Sequence, residues 1–240
     1  MPNSASNSEA MPGKEKNSPD VFWIVFFYVT FTHEWVYCIM ENVKLFLGFL
    51  RKFVAITDEE FEKSIQPLFK VRRFRKKEFL VKGGEIENYF NFITKGIVRK
   101  YYKTSKVENN IQISTEGQII LSQQSFLSRR PSEYFVEAVE PSTVISIRYD
   151  KLEELYTQSK KMERLGRLVI THMMIISDIW QMQMIKMTPR ERFLAFVNKN
   201  PELMRRVPQK YLASYLNIKP ETFSRFKHLL RNNPTNNMAA

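Results

Sequence analysis

Cysteine is all but missing: Cys38 is the only one in 240 residues. That excludes an intramolecular disulfide framework and any iron–sulfur or other metal site built on cysteine. Histidine is nearly as scarce. His33, His172 and His228 are scattered along the chain, and no Ser/His/Asp set, paired-carboxylate or phosphate-loop signature accompanies them, so no enzyme is expected. A haem finds no support either, because His172 lies in an apolar helical stretch, and no metal or cofactor is expected. A reducing cytoplasm suits such a composition. Acidic residues are outnumbered, 25 against 37 Lys and Arg, giving a net charge of +12 and a pI near 9.7. That balance favours a polyanionic partner, although an anionic membrane surface would fit it as well. The 43% apolar and 26% charged fractions are those of an ordinary globular chain with one large or two small domains.

Residues 1–39 divide in two. Met1 to Asp20 is polar and reads as disordered, whereas Val21 to Phe31, VFWIVFFYVTF, is almost continuously apolar and aromatic. A membrane span would need about 20 apolar residues. His33 and Glu34 interrupt this run near its middle, before Trp35 to Met40. A signal peptide would need a basic leader and a small-residue cleavage site, which are lacking. Membrane attachment through Val21–Met40 is one reading; translation starting at Met40, with residues 1–39 outside the native protein, is the other.

From Met40 the chain reads as α+β. Asn42 to Val54 is an amphipathic helix, and Thr57-Asp58-Glu59-Glu60 caps a second that runs to about Leu68. The basic cluster Arg72, Arg73, Arg75, Lys76, Lys77 reads as a solvated edge leading into a strand. Period-two segments follow at Glu78–Lys82, Asn88–Thr94, Ile97–Lys103, Asn109–Ser114, Tyr134–Glu140 and Thr143–Tyr149. Their Gly and Pro turns predict an antiparallel barrel or roll completing a domain over 40–149. Lys151–Gln158 is a short amphipathic turn, and Lys160 to Lys186 is one long helix within a connecting segment over 150–187. Leu165, Val169, Ile176 and Ile179 recur at spacings of three and four, interrupted at His172, as in a coiled-coil seam. Such a helix can pair two chains, pack on its own barrel, or do both on different faces.

Thr188-Pro189-Arg190-Glu191 is a capping box opening a helix to about Asn198, and Asn200-Pro201 ends it. Val207 to Leu230, VPQKYLASYLNIKPETFSRFKHLL, then holds two short helices. Leu212 and Leu216 mark one apolar stripe, Phe223 and Phe226 the other. Asn217 tolerates the left-handed backbone of a tight turn, Ala213 allows close crossing, and Pro220 suits a first helical turn. These are the spacing rules of a helix-turn-helix over 188–231, with 232–240 a loose tail. Exposed Lys219, Glu221, Thr222, Ser224, Arg225, Lys227 and His228 can meet base edges or phosphates. A helical hairpin serving only as packing would share this pattern. Eleven Lys/Arg against three Asp/Glu from Lys186 to Arg231 decide for double-stranded DNA.

A barrel, a long helix and a helix-turn-helix in this order resemble the cyclic-AMP receptor/fumarate-nitrate regulator (CRP/FNR) family, over Ile56 to Leu230. The most specific piece is Pro220-Glu221-Thr222-Phe223-Ser224-Arg225, similar to that family's Arg-Glu-Thr-apolar-small-Arg. The resemblance implies a cyclic-nucleotide-binding-like roll, a dimerisation helix and a sequence-specific DNA-binding transcription regulator. Glu221 would accept from a cytosine amine and Arg225 read guanine, with Thr222 and Ser224 completing the base-reading face. Gln209, Lys210, Lys219, Lys227 and His228 would hold phosphates. Pro220 replaces an Arg, so one base contact is lost.

The resemblance also implies a homodimer, paired along Leu165, Val169, His172, Ile176 and Ile179, on an inverted-repeat operator. RNA polymerase is a candidate partner. Cyclic AMP is not expected to bind. Leu121-Ser122 stands where the family's nucleotide binders have Gly-Glu, and Ser132-Glu133 where they have Arg-Ser, which would set Glu133 against a phosphate. Arg129 and Arg130 are the candidate ligand residues for an effector of another kind, which the sequence does not name.

Overall fold

A computed structural model describes residues 40–105 and 107–232. The readings of residues 1–39 and of the tail from 233 onward lie outside the described residues. Helix α1 covers residues 40–50. Thr57 then makes both hydrogen bonds of a capping box with Glu60 to open α2, Asp58–Glu60. The helix expected to reach Leu68 tightens instead, through a π turn at Phe61–Ile65 and a 3-10 turn at Gln66–Leu68 that contains Pro67.

Seven strands follow: β1 Phe69–Phe74, β2 Phe79–Val81, β3 Tyr89–Lys95, β4 Val98–Lys103, β5 Glu108–Ser114, β6 Tyr134–Ala138 and β7 Ser142–Arg148. They form two antiparallel sheets, ordered β1-β7-β3 and β2-β6-β4-β5. The expected strands all form, with ends shifted by a residue or two. Strand β1 corrects the reading of the first basic cluster at Arg72 alone; Arg73, Arg75, Lys76 and Lys77 are exposed. Arg72 and Arg73 are inside the strand, opposite Val144 and Thr143 of β7. The Arg72 guanidinium lies over the Phe74 and Tyr89 rings at 4.8 and 4.4 Å, so it is half-buried rather than solvated. A short helix not anticipated from the sequence, α3 Gln123–Ser128, spans the loop between β5 and β6.

The roll's inner core is Phe74, Leu80, Ile93, Val98, Ile120, Val136 and Val144. A second core joins the roll to α1, to α4 (Tyr149–Gln158) and to the first half of α5 (Lys160–Lys186). Helices α6 (Pro189–Lys199), α7 (Pro201–Arg206), α8 (Gln209–Tyr215) and α9 (Pro220–Asn232) complete the described residues. Asn200-Pro201 ends α6 as expected, but also starts α7, because Pro at a first helical position costs no backbone hydrogen bond.

The turn between β3 and β4 rests on Gly96, whose φ is +93°. A Cβ there would stand 2.7 Å from Pro141 O and from Ser142 Cα. Gly96→Ala is therefore expected to cost about 2–4 kcal/mol in urea unfolding.

Candidate nucleic-acid interface and ligand cavity

Helices α8 and α9 form the expected pair. Asn217 takes the left-handed turn, φ +51°, and Ala213 is fully buried at the crossing. Phe223 and Phe226 turn inward onto Phe193 of α6, at 5.0 and 5.5 Å between ring centroids. The opposite face of α9 is left to solvent. Glu221, Arg225 and His228 are exposed there at helical spacing, with Lys219 just before the helix; Thr222, Ser224 and Lys227 are half-buried along its flanks. On α8, Lys210 is exposed and Gln209 half-buried.

Not all the basic charge of this region lies on that surface. Arg192 is 8% exposed. It donates to Leu216 O at 2.9 Å, Asn217 O at 3.1 Å, Met184 O at 3.2 Å and Met187 O at 2.7 Å. One guanidinium thus joins the end of α5 to the helix-turn-helix turn. Arg206 pairs with Glu116, at 2.7 Å, and with Glu140 of the roll. Burial alone would raise the Glu116 carboxyl, but hydrogen bonds from Arg206 and Thr115 outweigh it and hold the carboxyl at about 2.

Helix α8 also docks on β4 and β5. The Arg99 guanidinium is sandwiched between the Tyr101 and Tyr211 rings, 3.9 and 3.8 Å from their centroids. It meets the Glu108 carboxylate at 2.8 Å and that of Glu137 at 3.2 Å. Ser214 Oγ accepts from Asn110 N at 2.9 Å and donates to Glu108 O at 3.1 Å. From the other side Trp180 of α5 stacks on Tyr215, 4.3 Å apart.

The helix residues expected to pair two chains divide between two roles. Leu165 and Val169 are buried in the chain's own core. They are therefore not on an exposed seam in this structure, because the first half of α5 lies on the roll. His172 is exposed, its ring 5.3 Å from that of Phe53. Ile176 and Ile179 are exposed together with Met174, Ile175, Met182 and Ile185. The second half of α5 thus carries an apolar face open to solvent.

At the nucleotide positions, Ser122 and Ser132 do meet. Ser132 Oγ lies 2.8 Å from Ser122 Oγ, and both residues are buried. Glu133 is exposed. The acid inside the roll is Glu87, 1% exposed, whose amide donates to Ser125 Oγ of α3. Burial raises its carboxyl to about 7, against the amides of Tyr89 and Ser122 and the charges of Arg72 and Arg129. The two positions thus hold neutral hydroxyls near an internal carboxyl.

The two candidate ligand arginines stand elsewhere. Arg129 donates to Glu87 O, Phe126 O and Asn88 Oδ1 and lies over Tyr149, at 4.2 Å, so it is a structural tie; Arg130 is exposed. Neither lines the cavity of about 480 Å³ that runs between the roll, α3, α4 and α5. Lys100 does. Sequence reasoning missed it, since a lysine in VRKYYK looks like an outward strand position.

Comparison with known proteins agrees with this layout. The family model for the cyclic nucleotide-binding domain matches residues 71–159. FixK2 from Bradyrhizobium japonicum superposes with a TM-score of 0.60 at 18% identity, over 69% of this chain and 86% of that one. The c-di-GMP-responsive global regulator CLP of Xanthomonas campestris gives 0.57 at 12% identity, over 74% and 93%. No curated protein matches the sequence. The fold therefore defines a nucleotide-binding-type roll joined by a long helix to a helix-turn-helix. FixK2 and CLP share this fold, and the match to the cyclic nucleotide-binding domain falls on residues 71–159.

Glu87 gives this domain a pH signature. Its folded pKa, about 7, stands above the unfolded value, so the stability tied to its neutral form is complete below about 4.5 and is lost as pH rises through 7. Glu87→Gln, neutral throughout, is expected to match the wild type near pH 4.5. By pH 8 it should exceed the wild type by roughly 2–3 kcal/mol in urea denaturation.

Proposed function

We propose that the chain is a sequence-specific, double-stranded-DNA-binding transcription regulator acting as a cytoplasmic homodimer, with a roll that has no cyclic-nucleotide site. The observation that carries this reading is the solvent face of α9, Glu221, Arg225 and His228, on a helix whose other face is locked to α6. A Glu can accept from cytosine and an Arg can take guanine O6 and N7 in the major groove, while Thr222 and Ser224 border the same face. Lys210, Lys219 and Lys227, with Gln209 and His228, are placed for phosphates.

Pairing along α5 would set two such helices about one DNA turn apart, roughly 34 Å, which calls for an inverted-repeat site. Helix α5 is long and apolar enough to cross a membrane by length and composition. Its first half is committed to the roll, however, and the apolar face from Met174 to Ile185 suits a second copy of the same helix.

A second reading is favoured by the cavity. With Arg129 engaged in the fold, a small molecule other than a cyclic nucleotide would bind between roll and α5 and act as effector.

In vitro selection of bound DNA at a stated salt concentration should return an inverted repeat. Arg225→Ala is then expected to cost about 1–3 kcal/mol on the selected site and to relax one base position. Equal affinity of mutant and wild type would refute the recognition-helix assignment. For the dimer, Ile176→Glu combined with Ile179→Glu should shift sedimentation to the monomer while leaving the far-ultraviolet spectrum unchanged. A persisting dimer would place the interface elsewhere.

A further inference from the structure

The cavity between roll and long helix has a specific chemistry. Its walls are largely apolar, among them Phe90, Leu121, Leu155, Val169 and Met173, and its volume of about 480 Å³ falls in the range of small-molecule sites. Of the residues that line it, Lys100 alone carries a cation. Lys100 is 5% exposed; its Nζ donates to Gln123 Oε1 at 2.5 Å and lies 5.6 Å from the centre of the Tyr134 ring. No carboxylate forms a salt bridge with it among the described residues. A buried ammonium held only by neutral partners stands in a costly environment, and an anion brought to it gains a strong charge-assisted hydrogen bond.

We propose that this cavity binds an apolar monocarboxylate, its body against the aromatic and aliphatic walls and its carboxylate on Lys100, beside Gln123 and Tyr134. A single cation matches a single negative charge. A phosphomonoester or dicarboxylate would leave one charge uncompensated in an apolar chamber, and a neutral hydrocarbon would leave Lys100 as it is. This inference rests on the second reading above, that the roll takes an effector other than a cyclic nucleotide.

Burial draws the Lys100 ammonium down to about 8. The affinity is therefore full below that pH and weakens as pH rises through it. The other titratable groups around the cavity are Tyr134 on β6, Tyr149, Tyr156 and the exposed Glu153 on α4. Burial raises Tyr156 to about 12, with the Glu153 charge adding to it, so that phenol stays neutral across this range.

Isothermal titration of the full chain with dodecanoate and with 4-phenylbutyrate, each against the matching alcohol, tests the assignment at pH 7. At least one acid is expected to bind saturably, at least about tenfold tighter than its alcohol, a gap closing by about tenfold per pH unit above 8. In Lys100→Met acid and alcohol should bind alike. That variant removes a desolvated charge, so it is expected to fold at least as stably as the wild type. Ile111→Trp, at the half-open rim of the same cavity, should weaken acid and alcohol together. Absence of saturable binding by both acids, or an acid preference that survives in Lys100→Met, overturns the proposal. The readout is ligand affinity without DNA, so failure of DNA binding and failure of this site are seen separately.

Discussion

Arg192 is where the C-terminal third of the chain is held together. Its guanidinium accepts nothing and donates to four backbone carbonyls, two at the end of α5 and two at the turn between α8 and α9. Carbonyls at helix C-termini have no partner within their own helix and carry the negative end of its dipole, so one planar cation satisfies them and neutralises the field. A lysine could not span the same acceptors, because its donors radiate from a single point. The consequence is mechanical. With α6 carrying Arg192 and Phe193 packing on α9, helix α9 takes its direction from the end of α5.

The roll holds the same unit from a second side. Arg99 between two tyrosine rings and Ser214 on the β5 backbone fix α8 to β4 and β5, while Arg206 at the end of α7 holds Glu116 after β5 and Glu140 between β6 and β7. A buried ion cluster of this kind adds little net stability once desolvation is counted, but it tolerates few geometries. Strand β4 is the shared element. Arg99 meets α8, and its neighbour Lys100 lines the cavity. Adjacent strand residues point to opposite faces, so cavity and helix-turn-helix are separated by the thickness of one strand.

Much of this was legible locally. Capping boxes at Thr57 and Thr188, turn residues at Gly96 and Asn217, and the two periodicities placed most helices and strands to within a residue or two. What local signals could not show is the far side of each contact. Arg72 read as part of a solvated run because the Tyr89 ring and the strand that flank it come from elsewhere in the chain, whereas Arg73 is exposed as expected. Charge counting placed Arg192 and Arg206 in a DNA-facing surface, whereas both are committed to internal acceptors. Periodicity along α5 showed one apolar stripe; it could not reveal that Leu165 and Val169 meet the roll while Ile176 and Ile179 meet solvent. Lys100 gave no signal at all, since its contacts come from Gln123 of α3 and Tyr134 of β6, more than twenty residues away.

The same distinction governs what the roll can bind. A roll that takes a cyclic phosphate must leave positive potential at the α3 end, where helix amides can also contribute. Here that end holds Ser122 and Ser132 in contact with each other, and the carboxyl of Glu87 is the charged group nearest at hand. Arg129, the cation beside it, is engaged by carbonyls and a tyrosine ring. Positive charge without an ion-pair partner sits instead at Lys100, inside the apolar chamber. A cation in a hydrophobic wall, rather than beside the two serines, changes the ligand class that electrostatics can favour. A doubly polar sugar phosphate would be desolvated without enough partners, whereas an amphipathic anion would bring its own apolar surface to match the walls. The cation of the proposed site stands on β4, next to the arginine that packs on α8.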